Sequence, residues 1–186
     1  MNFLKKNWID IVFVVILLVV LIPQIRVPVQ VFLQRFISMA PSEIDKDERE
    51  TIANYTWELA SLEGNKVAFS QSEGRVVLVN YWASWCPPCV AEMPSLQTLY
   101  ERYGDRVDFY FVTSEEAVVA KKFLQNTGYT FPVYISSHWP PKELQTQTLP
   151  TTYLISKEGE IVIKKTGVAN WSSEKVLKTI DNLLLQ

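Results

Sequence analysis

Cys86 and Cys89 are the residues of this chain best suited to covalent chemistry, and no other cysteine accompanies them. They stand three positions apart, separated by Pro87 and Pro88. One pair cannot build a disulfide framework. A zinc site needs about four thiolate, imidazole or carboxylate ligands, and the chain adds a single histidine, His138, far away in sequence. The expected chemistry is therefore redox: a dithiol that closes to a disulfide, with no metal and no cofactor beyond the Cys86–Cys89 disulfide itself.

That chemistry needs a thiolate, whose pKa falls at a helix N-terminus, where unpaired N–H groups and the helix dipole favour negative charge. The flanking residues predict such a place. Val76 to Trp82 is almost continuously apolar, the pattern of a strand buried on both faces. Cys89, Met93, Leu96, Tyr100 and Tyr103 recur at helical spacing, and Gly104 stops the helix. Cys86 is thus placed at a helix start with its sulfur toward solvent, as the attacking group. Cys89 lies one turn inward on the same side, as the group that resolves a mixed disulfide. Pro87 and Pro88 have φ values suited to a first turn but no N–H. Cys89 N–H then remains as the nearest local donor to Cys86. Fewer donors lower a thiol pKa less, which points to a reductant rather than a strong oxidant.

Further elements frame this junction. Thr56–Leu59 and Lys66–Ser70 read as a hairpin around Glu63-Gly64-Asn65. Val107–Thr113 reads as a strand, Ala117–Asn126 as a helix ended by Gly128, and Phe131–Ile135 as a short strand. Ser136 to Thr148 reads as a loop with one helical turn. Thr151–Ser156 and Glu160–Thr166 form a second hairpin about Lys157-Glu158-Gly159. Val176, Ile180, Leu183 and Leu184 give a terminal amphipathic helix, capped by Ser172 or Ser173. Strands alternating with helices imply an α/β class with a central mixed sheet.

The N-terminal part differs in kind. The net charge of -2 divides unevenly: Lys5, Lys6, Arg26 and Arg35 against Asp10 give residues 1–40 a net +3, and residues 41–186 carry -5. A mildly acidic globular part does not suit nucleic acid. Ile11 to Ile22 is uninterrupted and apolar, and the stretch 8–25 in helical form is about 27 Å long, near the roughly 30 Å of a bilayer core. Lys5 and Lys6 precede it. A cleaved signal peptide and a buried core helix are the alternatives. No small-x-small cleavage site follows at the right distance and no polar stripe breaks the run, so an uncleaved signal anchor is favoured. Val29, Phe32, Leu33, Phe36 and Ile37 give a short amphipathic helix, which lies on the membrane or packs on the domain. Pro41 to Glu50 reads as a charged linker. The expected organisation is a cytoplasmic N-terminus over residues 1–7, a transmembrane signal anchor over 8–25, an amphipathic segment and linker over 26–53, and the catalytic domain over 54–186.

WASWCPPC resembles the WCxxC active site of thioredoxins, and residues 54–186 resemble the thioredoxin fold with an added N-terminal β-hairpin. The match is to the membrane-anchored TlpA, ResA and DsbE branch of bacteria. Pro94 falls where that family kinks its helix. Leu149-Pro150-Thr151 resembles its cis-proline loop, Glu92 its glutamate three residues after the second cysteine, and Asn80 the residue that branch commonly carries in place of a buried aspartate. The resemblance implies catalytic roles for Cys86, Cys89 and Glu92, and substrate contacts from Trp85, Pro87, Leu149, Pro150 and Thr151. Trp82 is expected in the core. His138 and Trp139 either touch partners or lie in a solvated loop. The implied activity is thiol–disulfide exchange on the outer, periplasmic side of a bacterial inner membrane, with reduction of protein disulfides and a part in cytochrome c maturation. Its implied partners are protein disulfide or dithiol substrates of the envelope and a membrane thiol-electron donor. Other readings of the chain are a general envelope oxidant or oxidoreductase, and a non-enzymatic tethered binding module or chaperone.

Overall fold

Strand β3 (Val77–Tyr81) forms the middle of the fold because its side chains find apolar partners on both faces. The computed structural model describes residues 8–22, 29–31, 38–136 and 138–186. Within them the elements follow in chain order as α1 (Trp8–Leu21), β1 (Glu58–Ser61), β2 (Lys66–Ala68), β3, α2 (Pro87–Tyr103), β4 (Asp108–Thr113), α3 (Ala117–Thr127), β5 (Val133–Ser136), β6 (Thr151–Ile155), β7 (Ile161–Thr166) and α4 (Glu174–Leu185). The strands form one sheet in the order β2-β1-β5-β4-β3-β6-β7. β3, β4 and β5 run parallel, and the hairpins β1–β2 and β6–β7 add antiparallel strands at the two edges. The expected mixed sheet is present, and both hairpins lie where the turn residues place them.

Two apolar clusters fill the two faces. Leu78 joins Met93, Leu96 and Leu99 of α2, Ala120 of α3, and Val176 and Ile180 of α4. Val77 and Val79, pointing the other way, join Trp57, Phe69, Tyr110, Leu144 and Tyr153. Three helices thus cover one face. The other is closed by aromatic side chains and short 3-10 turns at Phe69–Ser72 and Lys142–Leu144. The first of these turns replaces the end of the strand expected through Ser70, because Phe69 turns inward, fully buried, against Tyr55, Trp57 and Tyr110.

Helix ends follow local chemistry. Gly128 ends α3 in the left-handed region at φ 76°, with its N–H on Leu124 O. Gly104 ends α2 for another reason: its φ is -62°, and a Cβ there would lie 2.8 Å from Tyr100 O. Ser173 is the residue before α4, as expected, but its hydroxyl is buried and makes no capping bond.

The stretch expected as a linker is in part seated on the domain. Ile44 N–H donates to Val162 O, Ile161 N–H to Glu50 O and Ile52 N–H to Gly159 O, while Arg49 meets Glu160 at 3.1 Å. Ile52 is buried and Ile44 packs on the same cluster. Two isoleucines in a charged stretch carry too little periodicity to be read in advance, but the β7 edge offers them backbone partners and an apolar seat.

α1 covers part of the expected 8–25 span, and its described side chains are exposed, Phe13 and Leu21 at 65% each. Its 14 residues reach about 21 Å. Among the described residues no helix is long and apolar enough to cross a membrane. Residues 1–7 and 23–25 lie outside the described residues, as do Phe32, Leu33, Phe36 and Ile37 of the expected amphipathic helix; residues 29–31 are helical.

Ile52→Ala is expected to cost about 2–4 kcal/mol in denaturant unfolding, the range for truncating a buried isoleucine. A loss under about 0.5 kcal/mol, as at an exposed linker position, would show that this seat does not matter to the fold.

Candidate active site

α2 begins at the dithiol. Cys86 is its N-cap, and Pro87 and Pro88 occupy the first turn, where the missing N–H groups cost nothing. Cys86 Sγ accepts from Cys89 N–H at 3.3 Å, while Val90 N–H is taken by Cys86 O. The local donor expected from the two prolines is the one found. The two sulfurs are joined as a disulfide. In this state Cys86 is 4% exposed and Cys89 fully buried, so the expectation of a solvent-facing Cys86 sulfur is corrected: both cysteines belong to the apolar cluster beneath α2. The exposed neighbour is Trp85, at 71%. Pro87 is half-buried beside it.

The loop before Cys86 is pinned from the next strand. The Glu115 carboxylate accepts from Ser84 N–H at 2.6 Å and from the Ser84 hydroxyl at 2.7 Å. Glu115 lies just past the C-terminal end of β4, the edge of an open α/β sheet where sites gather. Its motif-free sequence surroundings gave no sign of this role.

Behind Cys89, one helical turn on, Glu92 is buried at 2% exposure. Asn80 Nδ2 donates to its Oε1 at 2.9 Å. Trp171 Nε1–H and Ala169 N–H donate to its Oε2 at 3.1 and 3.3 Å. Asn80 comes from β3 and also donates to Thr152 Oγ1 of β6, while Trp171 and Ala169 come from the loop after β7. Burial pushes the Glu92 pKa up to about 8, the hydrogen bonds and Lys165 opposing it in part. The carboxyl can therefore take and release a proton near neutral pH, one turn from a thiol that must lose one. Asn80 is the one polar residue in the apolar run from Val76 to Tyr81, and that anomaly marks it in the sequence. Trp171 and Thr152 carry no such mark.

Pairing of Tyr81 with Thr151 sets the start of β6 beside the end of β3. The Leu149–Pro150 peptide bond just before it is cis, as the motif implied. Leu149 lines an open groove of about 730 Å³ together with Tyr81, Trp82, Thr113, His138 and Trp139. Trp82 is otherwise in the core, as expected, packed on Phe123. Trp139 is 83% exposed at the groove, and its loop is held from below by Trp57 Nε1–H on His138 O. Pro150 and Thr151 are buried. The Thr151 hydroxyl donates to Thr148 O at 2.8 Å within the loop. Trp85 and Pro87 thus flank Cys86 in the chain, Leu149 packs on the apolar cluster that contains both cysteines, and Thr151 is buried.

The raised Glu92 pKa has a sign. The folded protein holds this proton above the unfolded value of 4.5, so the contribution of Glu92 to stability is fully present below about pH 4.5 and is lost as pH rises to about 8. In the oxidised protein Glu92→Gln is expected to remove a slope of up to about 1.4 kcal/mol per pH unit across that window. Equal slopes in the two proteins would rule the raised pKa out.

The redoxin family profile, described as Redoxin, matches residues 47–183. The chain is 29% identical over 127 residues to the thioredoxin-like protein YneN of Bacillus subtilis, covering 66% of this chain and 74% of that protein. It is 35% identical over 112 residues to the thiol-disulfide oxidoreductase ResA of Halalkalibacterium halodurans, covering 59% and 64%. The match thus spans less than two thirds of that ResA's own length. The structure superposes on the exposed lipoprotein thioredoxin of Streptococcus pneumoniae with a TM-score of 0.54 and 26% identity, covering 68% of this chain and 98% of that one. With a thioredoxin-like sheet, a Cys-Pro-Pro-Cys disulfide capping a helix and these relatives, the chain belongs to the redoxin family and carries a redox-active site of the thiol–disulfide oxidoreductase kind.

Proposed function

We propose that this chain reduces protein disulfides at the outer face of a bacterial inner membrane, tethered by residues 8–25. The observation that carries the reductant reading is that, among the described residues, one local N–H, from Cys89, reaches the Cys86 sulfur. A sparsely solvated thiolate is less stabilised than one in a donor-rich loop, so its dithiol gives up electrons more readily. The uninterrupted apolar run Ile11–Ile22 and the exposed side chains of α1 support the tether. The names of the relatives support the reaction class.

The Cys86 thiolate attacks one sulfur of a substrate disulfide, forming a mixed disulfide and releasing the other substrate sulfur as a thiolate. Cys89 gives its proton to Glu92. The Cys89 thiolate then attacks Cys86 Sγ, the Cys86–Cys89 bond forms, and the second substrate thiolate leaves with the electron pair. Two electrons pass to the substrate, whose thiolates take protons from Glu92 and solvent. A membrane thiol-electron donor restores the dithiol. An apocytochrome c, whose haem-attachment thiols must be reduced, is the substrate that the family resemblance favours.

Cys89→Ala is expected to hold substrates as mixed disulfides on Cys86, recoverable from membranes, with an apocytochrome among them. Recovery of many unrelated envelope proteins instead would favour a general oxidoreductase. Cys86→Ser is expected to lower insulin disulfide reduction to the uncatalysed level, and undiminished reduction would favour a binding module. Release of the full chain by alkaline washing of membranes would count against the tether.

A further inference from the structure

The loop after β7 does more than join β7 to α4. Ala169 and Trp171 both point donors at one oxygen of Glu92, and both residues are buried. The backbone of this loop is tied to α2 as well: Ser95 Oγ accepts from Trp171 N–H and donates to Glu92 O. The two oxygens of the carboxyl are therefore unlike. Oε2 faces two groups that can donate and never accept. Oε1 faces the Asn80 amide, whose own Oδ1 is buried with no hydrogen-bond partner among the described residues. A half-turn of that amide exchanges donor for acceptor at Oε1.

We propose that Trp171 is a positioning residue for the thiol exchange: with Ala169 N–H it fills Oε2 with donors, and so confines the transferable proton to Oε1, where Asn80 can face either protonation state. A hydrogen on Oε2 would meet two N–H groups. A hydrogen on Oε1 meets Asn80 Oδ1 once the amide turns, and the Thr152 hydroxyl can then donate to the same Oδ1. One amide atom lacks a partner in either orientation, so the amide favours neither state on that count, and the proton can come and go. The transfer is Cys89 S–H plus Glu92 carboxylate to Cys89 thiolate plus Glu92 carboxylic acid, with no other reactant. The charged side chain acting on Glu92 is Lys165 of β7. On its own helix Cys89 precedes it by one turn, β3 and β6 present Asn80 and Thr152, and the loop after β7 presents no charge.

This inference rests on Glu92 being the proton acceptor, and the test separates the two. Trp171→Phe keeps the ring bulk and removes the N–H. In the reduced full chain, loss of one donor to the charged carboxylate is expected to raise the Glu92 midpoint by roughly one to two pH units, read by carboxyl NMR. The rising limb of single-turnover disulfide formation against pH should move by the same amount. Glu92→Gln should abolish that limb, and Trp171→Phe in its background should add no shift. If Glu92→Gln leaves the limb in place, the acceptor role itself fails. If it abolishes the limb while Trp171→Phe moves neither midpoint, the acceptor role stands and the role of Trp171 is overturned. Should Trp171→Phe not fold, the indole N–H resonance of Trp171 in the unmodified chain must shift with the Glu92 midpoint, and an indole signal independent of pH overturns the proposal.

Discussion

A carboxyl group kept dry is the constraint around which this fold is arranged. Burying a charge without partners is prohibitive, and burying it with donors alone leaves it hard to protonate. Glu92 is buried in the apolar cluster between α2 and the sheet, and its donors come from β3 and the loop after β7, with β6 holding Asn80 in turn. These elements must all be in place before the site exists. That arrangement ties the chemistry of two sulfurs at the mouth of α2 to the packing of residues more than seventy positions away in sequence.

The same sheet serves a second purpose on its other face. Trp57, just ahead of β1, stacks near Tyr81 and donates to the loop that carries His138 and Trp139. The added hairpin therefore shapes the groove without contributing a reactive group. Glu115 does the equivalent from the end of β4, taking both donors of Ser84 and fixing the approach of the chain to Cys86. Trp85 beside the disulfide and Trp139 at the groove are exposed aromatic side chains, whereas Cys86 and Cys89 are buried.

The docked stretch from Ile44 to Ile52 gives the N-terminal region a fixed point of attachment at the β7 edge. A little upstream, Asn170 N–H donates to Met39 O, within the loop that holds Glu92. The chain leading from the N-terminal segment thus meets, at Met39, the loop that holds Glu92.

The reaction class and most of the element order are legible in the chain before it folds. Cys-Pro-Pro-Cys between an apolar run and a helical repeat admits little else, because a strand buried on both faces and a helix start are both local patterns. The sequence also marked Glu92, Leu149 and Pro150 through family resemblance. The partnership of distant groups came from the folded chain alone: Asn80, Ala169 and Trp171 on one carboxyl, Glu115 on Ser84, and Trp57 beneath the groove. Each is a long-range contact made by a side chain or backbone group whose own sequence neighbourhood has no periodicity to reveal it. The strand order brings them together, and that order is a property of the whole sheet rather than of any one stretch.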